Sequence, residues 1–193
     1  MRKRVFIIHG WDGYPEEGWF PWLKKELEAR DFSVFAPQLP KPDEPRIKNW
    51  VPKLQEEAGE PDQQTYFVGH SMGCQAIARY LATLPEGVKA GGAVFVAGFF
   101  KRLTNLEDDD VVRSVADEWL KTPLNLKVVK GHLKESVAIF SDDDPYVPLD
   151  NKEEFANMLA SKIIVERGQG HFSGSTGTVE LPIVLESVLA MAG

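Results

Sequence analysis

Hydrophobic positions fall in short unbroken runs separated by longer amphipathic stretches. The runs are Val5-Phe6-Ile7-Ile8, Phe32-Ser33-Val34-Phe35-Ala36, Tyr66-Phe67-Val68, Ala93-Val94-Phe95-Val96-Ala97, Ser136-Val137-Ala138-Ile139-Phe140 and Lys162 to Glu166. Short, β-branched and aromatic, they predict strands, and their scant polar alternation predicts burial on both faces, as in a parallel sheet. Between them the period changes. Trp19, Trp22, Leu23 and Leu27 share a helical face, with Lys24, Lys25, Glu26 and Glu28 opposite. Ile47, Trp50, Val51 and Leu54 do the same over 46–58, and Ile77, Leu81 and Leu84 after Gly73. Val111 to Leu120, Glu153 to Leu159 and Leu181 to Ala192 read as further helices. Prolines at 37, 40, 42 and 45 keep that segment out of both regular structures. Strand and helix alternate throughout, which predicts an α/β fold: about six parallel strands covered by helices on both faces. One domain over 1–193 is expected. The fourth and fifth strands are separated by about 37 residues, enough for one or two helices but not a large lid.

The chemistry concentrates at strand ends. Gly69-His70-Ser71-Met72-Gly73 joins the third strand to an alanine-rich helix. A serine between two glycines at such a junction is the pattern of a nucleophile elbow. The turn lifts the hydroxyl clear of the sheet, and side chains at Gly69 and Gly73 would collide across it. The helix start directs N–H groups and a positive dipole at any oxyanion formed there. Serine needs a base, and the base needs a carboxylate. Among the four histidines, His171 is the expected base, because it lies in the glycine-flanked loop leaving the last strand. His9 and His70 are expected to pack near the site and bond to backbone, and His132 to be exposed. Asp142, Asp143 and Asp144 all follow the fifth strand. Asp144 opens a D-x-x-V-P run and is the favoured acid, with Asp143 second. The amides of Met72 and Trp11 are the expected oxyanion donors, and Trp11, Phe99, Phe100 and Tyr146 are candidate pocket walls. Glu107 to Asp110 read as a solvated helix start.

Composition narrows the partners. A net charge of −7 disfavours nucleic acid and anionic membrane. The single cysteine, Cys74, cannot form an internal disulfide. It lies on the elbow helix and is expected to be structural. The start, Met1-Arg2-Lys3-Arg4 and four apolar residues, is too short on its apolar side for a signal segment or a membrane span. A cytoplasmic protein is the expectation.

His9-Gly10-Trp11, Trp19-Phe20-Pro21-Trp22-Leu23, Pro37-Gln38-Leu39-Pro40-Lys41-Pro42, the elbow, Asp144-Pro145-Tyr146-Val147-Pro148 and Gly170-His171-Phe172 occur in one order. Together they resemble the small serine hydrolases of the retinoblastoma-binding protein 9 and YdeN family. The resemblance covers nearly the whole chain. It implies a compact α/β-hydrolase fold lacking the first two strands of the larger fold. It also implies hydrolysis of simple esters without a metal or organic cofactor, with Ser71 as nucleophile, Asp144 as acid and His171 as base. The expected reaction is carboxylic-ester hydrolysis on small or short-chain acyl groups. Two alternatives stand beside it. A peptidase or aminopeptidase would use Asp12 or Glu16 to anchor a substrate amine. An interaction protein would keep the scaffold without turnover.

Overall fold

The computed structural model describes residues 2–193; Met1, the first residue of the basic start, lies outside them. The elements run β1 (Arg4–Ile8), α1 (Phe20–Glu28), β2 (Ser33–Phe35), α2 (Ile47–Ala58), β3 (Thr65–His70), α3 (Met72–Leu81) and β4 (Ala90–Val96). They continue as α4 (Asp110–Lys121), α5 (Leu126–Gly131), β5 (Leu133–Ser141), α6 (Lys152–Leu159), β6 (Lys162–Glu166) and α7 (Pro182–Ala192). The six strands form one parallel sheet in the order β2-β1-β3-β4-β5-β6.

The register explains the unbroken apolar runs. Val5, Ile7, Val68, Val94, Val137 and Ile139 face α1 and α7, while Phe6, Ile8, Phe67, Phe95, Ala138 and Phe140 face the helices from α2 to α6. Both faces are covered at the centre of the sheet, so 5–8, 65–70 and 90–96 are buried whichever way they point, whereas the edge strands β2 and β6 stay partly exposed. The chain crosses from β4 to β5 through α4 and α5 alone, without a separate lid. Helix α3 is buried along its whole length. Its polar residues reach outward from the interior: Arg79 Nη2 donates to the Trp119 and Thr122 carbonyls at 2.8 and 2.9 Å. Those bonds satisfy carbonyls at the C-terminal end of α4 that the helix itself leaves unpaired.

Three local readings change. Gly91 and Gly92 belong to β4 instead of preceding it. Glycine is needed there for close approach: a Cβ on Gly91 would lie 2.5 Å from the Gln63 carbonyl oxygen, and one on Gly92 2.6 Å from Met191 Sδ. Helix α5 is absent from the sequence reading, because it has six residues and buries only Leu126 and Val129. His132, expected at the surface, is buried; its Nδ1 donates to the Val88 carbonyl at 2.8 Å.

Candidate active site

The elbow forms where β3 runs into α3. Ser71 has φ 50° and ψ −118°, a region that a residue with a Cβ adopts only under constraint. Its neighbours explain how the constraint is met. A Cβ on Gly73 would lie 2.3 Å from the Ile8 carbonyl oxygen, and one on Gly69 2.8 Å from the Cys74 nitrogen. Both glycines are therefore steric requirements of the turn. Ser71 N–H donates to the Val96 carbonyl at 2.8 Å, tying the elbow to β4.

The loop after β1 is pressed against this turn. A Cβ on Gly10 would be 3.1 Å from Ser71 Cβ. His9 holds the loop in place: its Nδ1 donates to the Gly10 carbonyl at 2.8 Å and its Nε2 accepts the Leu39 N–H at 3.0 Å. Burial pushes the His9 pKa down, so the ring that makes these two bonds is neutral. Asp12 N–H donates to the Pro42 carbonyl and Gly13 N–H to the Gly10 carbonyl. Among the described residues, the Trp11 and Met72 amides make no such loop bonds. The Trp11 indole is tied separately, donating to the Asp43 carbonyl at 3.0 Å.

Of the three acids after β5, Asp144 meets His171. Its Oδ2 accepts from Nδ1 at 2.8 Å. Its Oδ1 accepts the N–H groups of Tyr146 and Val147 at 2.9 and 3.0 Å. The D-x-x-V spacing is thus a side-chain-to-backbone turn that fixes the carboxylate. With Nδ1 donating to a carboxylate, His171 Nε2 keeps its lone pair and can take a proton. Asp143, the second candidate, turns to Ser141 and Gly170 instead. His70 packs against the His171 ring, and its Nε2 donates to the His171 carbonyl at 2.7 Å. Burial, and then the facing His171, push the His70 pKa down to about 3. Among the described residues, no hydrogen bond joins Ser71 Oγ to His171; such contacts are commonly loose before substrate binds.

Ser71, His171 and the expected walls Trp11, Phe99 and Tyr146 line one cavity of about 500 Å3. Phe100 does not line it; its ring packs on Phe155, centroids 4.7 Å apart. The sequence reading missed Leu103, Leu106 and Val112, which the β4–α4 segment folds over the same cavity. Of the acids on the cavity wall it named Asp12 as a substrate anchor and missed Glu17, Asp43 and Glu107 in that place. Asp12, Glu17, Asp43 and Glu107 line the cavity with no Lys or Arg beside them. Glu16 is exposed and lies elsewhere. Burial raises the Glu17 pKa, and burial together with Asp43 and Glu107 raises that of Asp12. Cys74 is buried on α3 facing away from this chemistry, its Sγ donating to the Gly69 carbonyl, and burial pushes the thiol up and out of the reactive range. Among the described residues, no group of three or more His, Cys, Asp or Glu is gathered as a metal would require.

Comparison with known proteins identifies the family and the fold. A serine hydrolase family model matches residues 5–190. The protein YdeN of Bacillus subtilis is 32% identical over 186 residues, covering 96% of this chain and 94% of YdeN. Its crystal structure superimposes with a TM-score of 0.89 over 98% of each chain. The serine hydrolase RBBP9 of Rattus norvegicus is 28% identical over 176 residues, 91% of this chain and 88% of RBBP9. A carboxylesterase structure from Nitrososphaera gargenis shares the fold, with a TM-score of 0.74 at 16% identity over 99% of this chain and 91% of that one. By the family match across nearly its whole length, the chain belongs to the serine hydrolases.

Proposed function

We propose that this serine hydrolase cleaves carboxylic esters of small or short-chain acids through Ser71, His171 and Asp144. The observation that carries the reading is the His171–Asp144 bond of 2.8 Å at the wall of the cavity onto which Ser71 opens. Ser71 Oγ attacks the ester carbonyl while His171 Nε2 takes its proton. The Met72 and Trp11 amides receive the oxyanion. Collapse expels the alcohol, which takes the proton from His171 and leaves an acyl-serine. Water, deprotonated by His171, attacks the acyl group and releases the acid. Asp144 holds the imidazole tautomer and stabilises its cation. A cavity of about 500 Å3 suits a small ester. The reading is tested by labelling with a fluorophosphonate and by turnover of aryl esters of graded acyl length. Labelling at Ser71, lost in Ser71→Ala and His171→Ala, and turnover falling with acyl length are expected. A protein that neither labels nor turns over any ester would be a binding protein on this scaffold.

One observation favours a second reading on the same residues. The cavity wall carries four carboxylates and no Lys or Arg, and such a wall attracts a substrate amine. An aminopeptidase or aminoacyl-ester hydrolase would fit it. Matched neutral esters, aminoacyl esters and aminoacyl amides separate the two: preference for the aminoacyl series, lost in Glu17→Gln, selects the second.

A further inference from the structure

The residues before Asp144 do work that the proposed triad does not assign to them. Asp142 Oδ1 accepts the Gly168 N–H at 2.9 Å. Ser141 Oγ accepts the Gln169 N–H at 3.0 Å. Asp143 Oδ1 accepts the Gly170 N–H at 2.8 Å, and Ser141 Oγ donates to that same oxygen at 2.6 Å. Asp144 then receives His171 Nδ1. Four consecutive residues leaving β5 thus hold four consecutive residues leaving β6, three through backbone and the last through its ring. The sheet gives no alternative support: β6 ends at Glu166, and its last ladder bond is from Asp142 N–H to the Glu166 carbonyl at 3.1 Å. Beyond it, Gly168 and Gly170 take φ of 64° and 54°, conformations that leave the loop little intrinsic stiffness. Downstream the chain is fixed again, where Phe172 is buried and its carbonyl accepts Trp19 Nε1–H at 2.9 Å.

We propose that Ser141 and Asp143 are positioning residues, which fix the loop carrying His171 so that its ring meets Ser71 in reactive geometry. The inference rests on His171 being the base proposed above. Neither residue touches the reacting atoms; both act through the backbone of 169–170. A small displacement suffices for an effect, since misplacing a catalytic group by about 1 Å costs up to roughly 100-fold in rate. Asp143 also stays ionised at working pH, because the Ser141 hydroxyl and then the Gly170 amide hold its carboxyl below the usual carboxylate range.

The test compares Asp143→Ala, Asp143→Asn, Ser141→Ala and the double Ala variant in the full chain. It reads kcat and KM on a short aryl ester and the rate of fluorophosphonate inactivation, each normalised to folded protein by circular dichroism. Asp143→Ala is expected to lower kcat and the inactivation rate about 10- to 100-fold with little change in KM. Asp143→Asn is expected to restore most of the rate, because its amide oxygen can accept the same two bonds. The double variant should fall short of the product of the singles, as for residues that act on one loop. An Asp143→Ala enzyme with parent kcat per folded molecule overturns the inference, and so does an Asn variant as slow as Ala. His171→Ala keeps the two readings apart. If it abolishes turnover while Asp143→Ala does not impair it, only the positioning role fails. If His171→Ala retains turnover, the base assignment fails, and the positioning role with it.

Discussion

Ser71 holds φ 50° with a Cβ attached, and a strained site of this kind stores on the order of 1–3 kcal/mol. The strain is separable from the chemistry. Ser71→Ala keeps the Cβ and loses only the hydroxyl, so its melting temperature should match the parent while ester turnover falls by roughly 10⁴-fold or more. Ser71→Gly should be equally inactive but more stable than Ser71→Ala by about 1 kcal/mol, the released strain less the entropy glycine loses on folding. Equal melting of the Ala and Gly variants would mean that the elbow is unstrained. Asp144→Asn should lower kcat by up to about 10⁴-fold, as loss of a triad carboxylate does. At this scale the sequence was informative because each candidate side chain follows the end of a strand, where a parallel sheet gathers such residues. The choice between Asp143 and Asp144 depended on a turn: Asp144 is aimed by the Tyr146 and Val147 amides. Phe100 and His132 were misjudged for a different reason. Which way they point is decided by Phe155 and by the Val88 carbonyl, partners distant in sequence.

Between elements, the closest approach at the site is helix α3 against β1. A methyl group on Gly73 would lie 2.3 Å from the Ile8 carbonyl oxygen, and backbone cannot step aside as a flexible side chain can. Gly73→Ala should therefore cost about 3 kcal/mol, the upper range for overpacking. Because Ile8 leads into the Gly10 loop, the same change should weaken phosphonate labelling in whatever protein folds. Chemical denaturation and labelling measured together check both halves; a variant with parent stability would remove the steric account of the second glycine. Cys74, one residue further along, is a contrast. It is buried among apolar groups with a thiol pushed up, so Cys74→Ala should leave turnover at the parent level. Element type was legible wherever periodicity ran for several turns, as in α1, α2 and α3. Helix α5 was not, since its six residues are too few to establish a period. Strand β4 began earlier than its apolar run because glycine there admits Tyr66 and Met191, a packing demand that no local propensity encodes.

For the whole molecule, the two inner histidines couple stability to pH. His70 is fully buried, with its pKa pushed down to about 3, and burial also lowers that of His9. Unfolded, both titrate near 6.5. Below that value the unfolded chain binds protons that the native rings refuse, so stability rises with pH and falls as pH drops. The contribution is complete above about pH 6.5 and is lost progressively toward the native values. For His70 the loss is on the order of a few kcal/mol. Its surroundings shape the effect: His171 and His9 oppose a charge on His70, while Asp144 favours one. The raised pKa values of Glu17 and Asp12 act with the opposite sign, since those groups take up protons more readily folded than unfolded. The interval from pH 7 to 5.5 spans the charging of the unfolded histidines, and a His70 variant separates that ring's share from the share of the carboxylates. Melting temperature should fall steadily across that interval. His70→Gln should flatten the fall, because a glutamine amide can still donate to the His171 carbonyl but has no proton to gain. A parent protein whose melting temperature is level from pH 7 to 5.5, or a His70→Gln variant with an unchanged slope, would show that the neutral rings do not set the acid stability of the fold.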